Sequence, residues 1–220
     1  DWSSDVCSSD LKLGESIKNA LTIAENNSNT RIEKVVVGVP SAFATVVCKD
    51  ITQNYSKKIR VSEKTINALF EMGNDFDKYT TYKLISSDAI EYSLDDGLLK
   101  VDCIGQTTSK IKAKVSYILA DTKFINLITE IMGILGIDVE RYICTALAEY
   151  KYLVDNSLNT SVIVDCGHLT TSFAVCKGGG LQSLSEFSLG GGFITSDLMR
   201  WLKIDYSIGE MLKRKIILSI

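Results

Sequence analysis

One stretch of the sequence, Val162–Ser172, restricts the possible folds of this chain more than any other. It reads Val-Ile-Val-Asp-Cys-Gly-His-Leu-Thr-Thr-Ser, and a second apolar run, Phe173–Cys176, follows at once. Two short apolar runs around a glycine turn predict a β-hairpin whose first strand is buried. A further glycine run at 178–180 predicts the next turn, so the chain is expected to continue as an antiparallel sheet.

The turn of this hairpin carries residues that suit a phosphate. Gly167 and the hydroxyl residues Thr170 and Thr171 can bring backbone N–H groups and side-chain hydroxyls close to an anion. Asp165, at the end of the first strand, is placed to hold a hydrated Mg²⁺ ion. The same residue types are common in ordinary turns, so a hairpin without a ligand is the alternative.

Composition excludes several classes of protein. The chain has 27 acidic and 24 basic residues, which is unlike the basic footprint of a nucleic-acid-binding protein. Its single histidine, His168, excludes most histidine-based metal sites. The cysteines lack Cys-x-x-Cys spacing, which favours free thiols in a reduced, cytosolic protein. No apolar run approaches about 18 residues, so no membrane span is predicted.

The first eleven residues fit nothing that follows them. They read Asp-Trp-Ser-Ser-Asp-Val-Cys-Ser-Ser-Asp-Leu and have neither an amphipathic period nor the regions of a signal peptide. The segment resembles the in-frame translation of a sequencing adapter. We therefore expect residues 1–11 to be non-native and the chain to be a fragment of a longer protein.

Residues 12–119 predict a compact α+β unit. Its expected elements are a helix at 12–24, strands at 34–39, 44–48 and 58–61, a helix from Ser62 to Gly73, and strands at 82–94 and 110–119. Ser62 is a good helix N-cap. On the last strand, apolar residues alternate with lysines, as expected for a half-buried strand.

Residues 120–220 predict a second unit that contains the hairpin. Its expected elements are a helix capped by Asp121 and ended by Gly136, a strand at 137–144, a helix at 145–154 with Leu147, Ala148 and Leu153 inward, the hairpin, a strand at 181–189, a helix at 193–202 and a last helix from Ser207. The chain is therefore expected to be α/β.

Three pieces in this order resemble the actin-like ATPases, and FtsA-like bacterial cell-division proteins most. They are Asp165-x-Gly167-x-x-Thr170-Thr171, then Leu189-Gly190-Gly191-Gly192 before a helix, then Glu210-x-x-Lys213. The resemblance implies that 12–119 is an inserted α+β subdomain. It also implies that 120–220 is the second half of an actin-like, ribonuclease-H-like core, truncated at its C-terminus.

The resemblance also implies a binding site for ATP and Mg²⁺. Asp165 would hold Mg²⁺ through water, and Gly167, Thr170 and Thr171 would form the second phosphate loop. Gly190, Gly191 and Gly192 would let the backbone approach the phosphates and ribose. Glu210 and Lys213, one helical turn apart, would line the adenosine pocket. The alternative for this last pair is an ordinary solvated ion pair.

The sequence departs from the family pattern at three positions. Cys166 and His168 stand where the family usually has an apolar residue and a glycine. Thr145 stands near the position of an acidic residue that orients the attacking water in many actin-like ATPases. No catalytic residue is assigned, and at most a weak ATPase activity is expected.

The intact protein implied by the resemblance is a cytoplasmic ATP-binding protein at the inner face of the cell membrane. It would form filaments at the septum, tether the tubulin-like division protein FtsZ, and contact other division proteins through the insert. Its C-terminal membrane-binding helix is absent from this sequence, and no nucleic acid is expected. The alternatives are a PilM-like scaffold of a pilus or secretion machine and a small-molecule kinase of the same fold. The insert is expected to favour the FtsA-like interpretation.

Overall fold

The computed structural model describes residues 8–155 and 157–215. Its helices are α1 Ser8–Ser28, α2 Glu63–Gly73, α3 Thr122–Ile134, α4 Thr145–Leu153, α5 Gly191–Leu202 and α6 Tyr206–Lys215. Its strands are β1 Lys34–Val39, β2 Ala44–Arg60, β3 Tyr82–Ser93, β4 Leu99–Lys100, β5 Thr107–Asp121, β6 Asp138–Cys144, β7 Ser161–Cys166, β8 Thr171–Lys177 and β9 Gly180–Phe187. The predicted α/β class is confirmed.

The expected non-native segment falls only partly within the described residues. Residues 1–7 lie outside them, and the backbone of residues 8–11 forms the start of α1. The five cysteines of the described residues are free, as the spacing predicted: Cys48, Cys103, Cys144, Cys166 and Cys176.

The strands form three sheets. β1 and β6 pair in parallel, β2-β5-β3-β4 form an antiparallel sheet, and β7-β8-β9 form a second antiparallel sheet. β6 lies outside the predicted insert 12–119, so β1 is paired with a strand of the other predicted unit. The sheet that belongs to the insert alone is built from β2 to β5. The division of the chain near residue 119 stays a prediction.

β2 differs from the sequence prediction of two short strands. Residues 44–48 and 58–61 lie at the two ends of one stretch, and β2 runs continuously from Ala44 to Arg60. Its pairing with β5 shifts register between Asn54 and Ile59. The intervening residues are mostly polar and lack an apolar period. Backbone pairing with β5 keeps residues 49–54 extended, and this cannot be read from local sequence.

The core of the insert lies between its sheet and α2. Alternate residues of β5 are buried on this face, as predicted from the alternation with lysine: Ile111, Ala113, Val115 and Tyr117. The Tyr117 hydroxyl donates to the carbonyl oxygen of Phe70 at 2.7 Å, which ties the sheet to α2. Ser62 caps α2 reciprocally with Thr65, so the predicted N-cap is confirmed.

The second core joins α4 to the hairpin. Leu147 and Tyr150 of α4 pack with Ala174, Cys176 and Leu181 of the three-stranded sheet. The prediction that Leu153 points inward is wrong, because its side chain is 65% exposed. Tyr150, one turn earlier, takes the inward position at 1% exposure.

The predicted hairpin is confirmed, but the prediction that its first strand is buried is wrong, because Val162 and Val164 are 56% and 51% exposed. β7 and β8 are antiparallel, from Ser161 opposite Cys176 to Cys166 opposite Thr171. The turn between the strands, residues 167–170, therefore stands at one end of the sheet. The turn at 178–180 stands at the other end, against the insert.

Candidate functional site

The turn of the hairpin is closed by one backbone hydrogen bond. The N–H of Gly167 donates to the carbonyl oxygen of Thr170 at 2.9 Å. Asp165, just before the turn, is exposed, so its carboxylate can reach a hydrated ion. The backbone N–H groups of His168, Leu169 and Thr170 donate to no other described residue. These three groups and the Asp165 carboxylate are the polar groups that the turn offers to a ligand.

The glycine segment 190–192 docks directly on this turn. Gly191 N–H donates to the Gly167 carbonyl oxygen at 2.9 Å, and Gly192 N–H donates to the His168 carbonyl oxygen at 2.7 Å. A Cβ atom on Gly190 would lie 2.6 Å from both of these carbonyl oxygens. The contact between the two loops therefore requires glycine at position 190, whereas a Cβ atom on Gly191 would meet nothing closer than 3.4 Å. The further approach of phosphate or ribose to these glycines stays a prediction.

The hydroxyl groups of the two loop threonines differ in their hydrogen bonding. The Thr171 hydroxyl donates to the Leu189 carbonyl oxygen at 2.6 Å, and the residue is 7% exposed. It thus ties the start of β8 to the chain entering the glycine segment. Thr170 is half-buried, and its hydroxyl makes no hydrogen bond to any described residue. Thr170 is therefore the hydroxyl that remains available to a phosphate.

Glu210 and Lys213 belong to a partly buried network. Glu210 accepts from Lys213 at 2.6 Å, from Thr195 at 2.7 Å and from Arg214 at 2.9 Å. These hydrogen bonds, that of Lys213 foremost, lower the pKa of Glu210 to about 2. Lys213 also donates to the Gly191 carbonyl oxygen at 3.1 Å. The pair therefore fastens α6 to the first turn of α5, which a free surface ion pair does not do.

His168 folds back over the helices that follow the glycine segment. Its Nε2 atom lies 2.8 Å from the Tyr206 hydroxyl at the start of α6. A Cβ atom on Gly192 would lie 2.8 Å from the imidazole ring. The histidine that departs from the family pattern thus packs on α5 and links the loop to α6.

The sequence patterns do not single out Glu149, whose carboxyl group is influenced by the charge of Asp165. The hydroxyl of Thr145 donates to the Val39 carbonyl oxygen at 3.3 Å and is occupied at the start of α4. Glu149 follows one helical turn later, and α4 packs against β7. Burial, and after it the charge of Asp165, raise the pKa of the Glu149 carboxyl. The spacing of four residues from Thr145 was the available signal.

A single carboxylate fits the predicted way of holding Mg²⁺. Within residues 8–155 and 157–215, no group of three or more His, Cys, Asp or Glu side chains is arranged to hold a metal ion. Mg²⁺ keeps most of its water shell and needs only one or two carboxylates beside phosphate oxygens. Asp165 therefore suits an ion that arrives with a nucleotide.

Three grooves formed by the described residues lie away from these loops. One of about 450 Å³ is lined by Tyr92, Tyr150 and Gly178 among others. Two of about 330 Å³ lie over the outer face of β5 and beside β6. The predicted phosphate loop stands on a more open surface, where its groups meet solvent.

No protein family matches the sequence, and no curated protein matches it either. Among solved structures, the PilM-PilN type IV pilus biogenesis complex is similar, with a TM-score of 0.55 at 15% identity. That match covers 96% of this chain and 58% of the other, so this chain spans less than two thirds of that neighbour. This chain therefore shares the fold of that neighbour.

Two weaker likenesses accompany it. The ethanolamine utilization protein EutJ from Carboxydothermus hydrogenoformans has a TM-score of 0.35 at 22% identity, covering 39% of this chain and 31% of that one. A protein of actin-like ATPase fold and unknown function from Bacteroides thetaiotaomicron has a TM-score of 0.33 at 13% identity, covering 91% and 63%.

The match to the pilus complex extends over the insert, because it covers 96% of the chain. The expectation that the insert favours FtsA-like proteins over PilM-like ones stays a prediction. Among the described residues, none of the helices combines the length and the apolar composition needed to cross a membrane.

Proposed function

We propose that this chain is part of an actin-like scaffold protein that binds Mg·ATP through the loop at 165–171. The observation that carries the proposal is the docking of the glycine segment on the hairpin turn. Gly191 and Gly192 hold the carbonyl oxygens of Gly167 and His168 on the inner side of the turn. The N–H groups of residues 168–170 are thereby left, beside Asp165, without partners among the described residues.

Each remaining group has a role that follows from its chemistry. The N–H groups and the Thr170 hydroxyl would donate to phosphate oxygens, and backbone amides in a turn form such anion sites. Asp165 would accept from the water shell of Mg²⁺, which balances the phosphate charge. Lys213 is engaged by Glu210 and by the Gly191 carbonyl oxygen, so it would hold α6 beside the loop.

The role we propose is binding, with slow hydrolysis at most. Thr145 stands near the position where many actin-like ATPases have a water-orienting acid, and its hydroxyl is engaged with the Val39 carbonyl oxygen. A threonine is a poor base near neutral pH, because its alkoxide is not populated and its neutral hydroxyl is only very weakly basic. A protein of this kind changes state with bound nucleotide more than it turns nucleotide over.

A pilus or secretion machine is the assembly that we favour for this scaffold. The supporting observation is the likeness to the PilM-PilN complex, which extends over the insert and the hairpin alike. A division protein that tethers FtsZ is the second candidate. Its support is the order of the three motifs, Asp165 to Thr171, Leu189 to Gly192 and Glu210 to Lys213, in which the chain resembles FtsA-like proteins.

Calorimetric titration with Mg·ATP tests the binding proposal. Asp165→Ala should weaken Mg·ATP binding at least about tenfold, or about 1.4 kcal/mol, without unfolding the chain. Asp138→Ala is the matched control, because it removes an exposed carboxylate at the edge of another strand. Equal affinities of the two variants, both folded by circular dichroism, would refute the assignment of Asp165.

The choice of machine is tested by partner binding. Immobilised chain would be presented in parallel with purified PilN and with purified FtsZ. Saturable binding of PilN alone supports the pilus-type scaffold, and binding of FtsZ alone supports the division protein. Binding of neither partner would leave the nucleotide assignment standing and remove both assemblies.

A further inference from the structure

The glycine turn at 178–180 is pressed against the insert with no room for a side chain. A Cβ atom on Gly178 would lie 1.8 Å from the Ile90 carbonyl oxygen, and φ is +57° there. A Cβ atom on Gly179 would lie 2.9 Å from the Ala89 carbonyl oxygen. Both contacts are with the backbone of β3, which cannot rotate away as a flexible side chain can.

Hydrogen bonds fix the same turn on three sides. Gly179 N–H donates to the Ala89 carbonyl oxygen at 2.9 Å, which adds the turn to the edge of β3. Gly178 N–H donates to the Ser157 carbonyl oxygen at 2.8 Å. The buried Tyr150 hydroxyl of α4 donates to the Gly178 carbonyl oxygen at 2.9 Å. The turn is therefore held by the insert, by α4 and by the loop after α4 together.

An ion pair reinforces the contact beside the turn. Lys177, the last residue of β8, lies 2.6 Å from Glu91 of β3, and both side chains are about one fifth exposed. Partial burial protects such a pair from screening better than a fully exposed position does. β8 and β3 are thus joined by side chains as well as by backbone.

At the end opposite the glycine turn, β8 begins in the predicted phosphate loop. β8 is seven residues long and is the central strand of its sheet, so it is paired on both edges. At about 3.3 Å per residue it spans about 20 Å as one stiff element. Thr171 fixes its first residue to Leu189 and so to the glycine segment.

We propose that β8 couples the occupancy of the phosphate loop by ligand to the conformation of β3 in the insert. The turn Gly178–Gly180, where β8 meets β3, is called the joint. The inference rests on the proposed function, since it takes Mg·ATP as the ligand of the loop. The turn meets β3 through backbone atoms that cannot rotate away, so a displacement of the strand is passed on to β3. A partner that contacts the insert would then meet a nucleotide-dependent surface.

Hydrogen exchange of the full chain, with and without Mg·ATP, tests the coupling. We expect slower exchange at residues 168–171 and, over the same titration, a change in exchange along Tyr82–Ser93 of about fivefold, a typical lower limit for allosteric coupling. Both changes should have the same midpoint, because one binding event causes them.

Two tyrosines of α4 provide the variant and its control. Tyr150→Phe removes the hydroxyl bond to Gly178 while keeping the buried ring, and it should reduce the β3 response while the loop response persists. Tyr152→Phe removes a hydroxyl from a side chain that is 89% exposed, and it should leave both responses unchanged. Gly178→Ala is a harsher variant whose folding must be checked, and Tyr150→Phe keeps the test decisive if it does not fold.

The outcomes separate the coupling from the function on which it rests. A loop response without any β3 response would overturn the coupling and leave nucleotide binding intact. Equal β3 responses in Tyr150→Phe and Tyr152→Phe would overturn the assignment of the joint. Absence of a response at the loop itself would overturn the proposed function, and the coupling with it.

Discussion

Individual side chains around the loop divide into those that hold the protein together and those left for a ligand. Thr171 and Lys213 bond to backbone carbonyl oxygens on either side of the glycine segment. Asp165 and Thr170 make no such bond among the described residues. A sequence motif predicts that all four side chains contact a ligand. It contains only residue types and does not show that backbone carbonyl oxygens accept hydrogen bonds from two of them.

Glu210 should make the chain sensitive to acid. Its folded pKa is lowered to about 2, so its contribution to stability is complete above its ordinary value of 4.5 and is lost as the pH falls toward 2. Wild-type melting temperature should therefore fall more steeply in this window than that of Glu210→Gln. Thermal melts followed by circular dichroism measure the difference. Glu130→Gln, on an exposed position of α3, should follow the wild type, and a parallel course of all three would contradict the network.

Glu149 should have the opposite effect. Burial and Asp165 raise its folded pKa, so the ionised form is disfavoured in the folded state and the cost grows as the pH rises through that pKa. Glu149→Gln should therefore stabilise the chain at pH 7, by less than about 1 kcal/mol for a partly exposed group. Urea unfolding at pH 7 measures this, and a destabilised variant would show that Glu149 has a favourable partner.

At the scale of elements, the sequence predicted the features that depend on residues close together in the chain. The hairpin, the cap at Ser62 and the alternation on β5 are local patterns, and each is found in the structure. The parallel pairing of β1 with β6 joins residues about a hundred positions apart, and no local pattern encodes it. The continuity of β2 likewise depends on its pairing with a neighbouring strand. In α4, Tyr150 is the buried residue because its hydroxyl has a buried hydrogen-bond acceptor.

The glycine segment 190–192 offers a test of the docked loops. Gly190→Ala should destabilise the chain by about 1–3 kcal/mol, the usual cost of overpacking, because its Cβ would meet two carbonyl oxygens at 2.6 Å. Gly133→Ala in α3 is the control, since nothing lies within 4 Å of its added Cβ. That control should be neutral or stabilising by up to about 1 kcal/mol, as for glycine in a helix. Equal stabilities would mean that the two loops are not in contact.

At the scale of the whole molecule, one face of the hairpin sheet remains open. Val162 and Val164 of β7 are 56% and 51% exposed, although their residue types predict burial. The chain spans 58% of its pilus-complex neighbour, so the neighbour's fold extends beyond the part matched here. The motifs around the loop resembled those of the actin-like ATPases, but they could not tell one scaffold family from another.

The central claim is that Mg·ATP binds at the loop of residues 165–171. An NMR titration of the full chain with Mg·ATP tests it most directly. We predict saturable shifts of the amide signals of residues 168–170, with an affinity near about 1 mM, or about −4 kcal/mol, because the loop is open to competing water. The shifts should need Mg²⁺ and should disappear in Asp165→Ala. Shifts confined to the groove beside Tyr92 and Gly178, or loop shifts that persist in Asp165→Ala, would contradict the account.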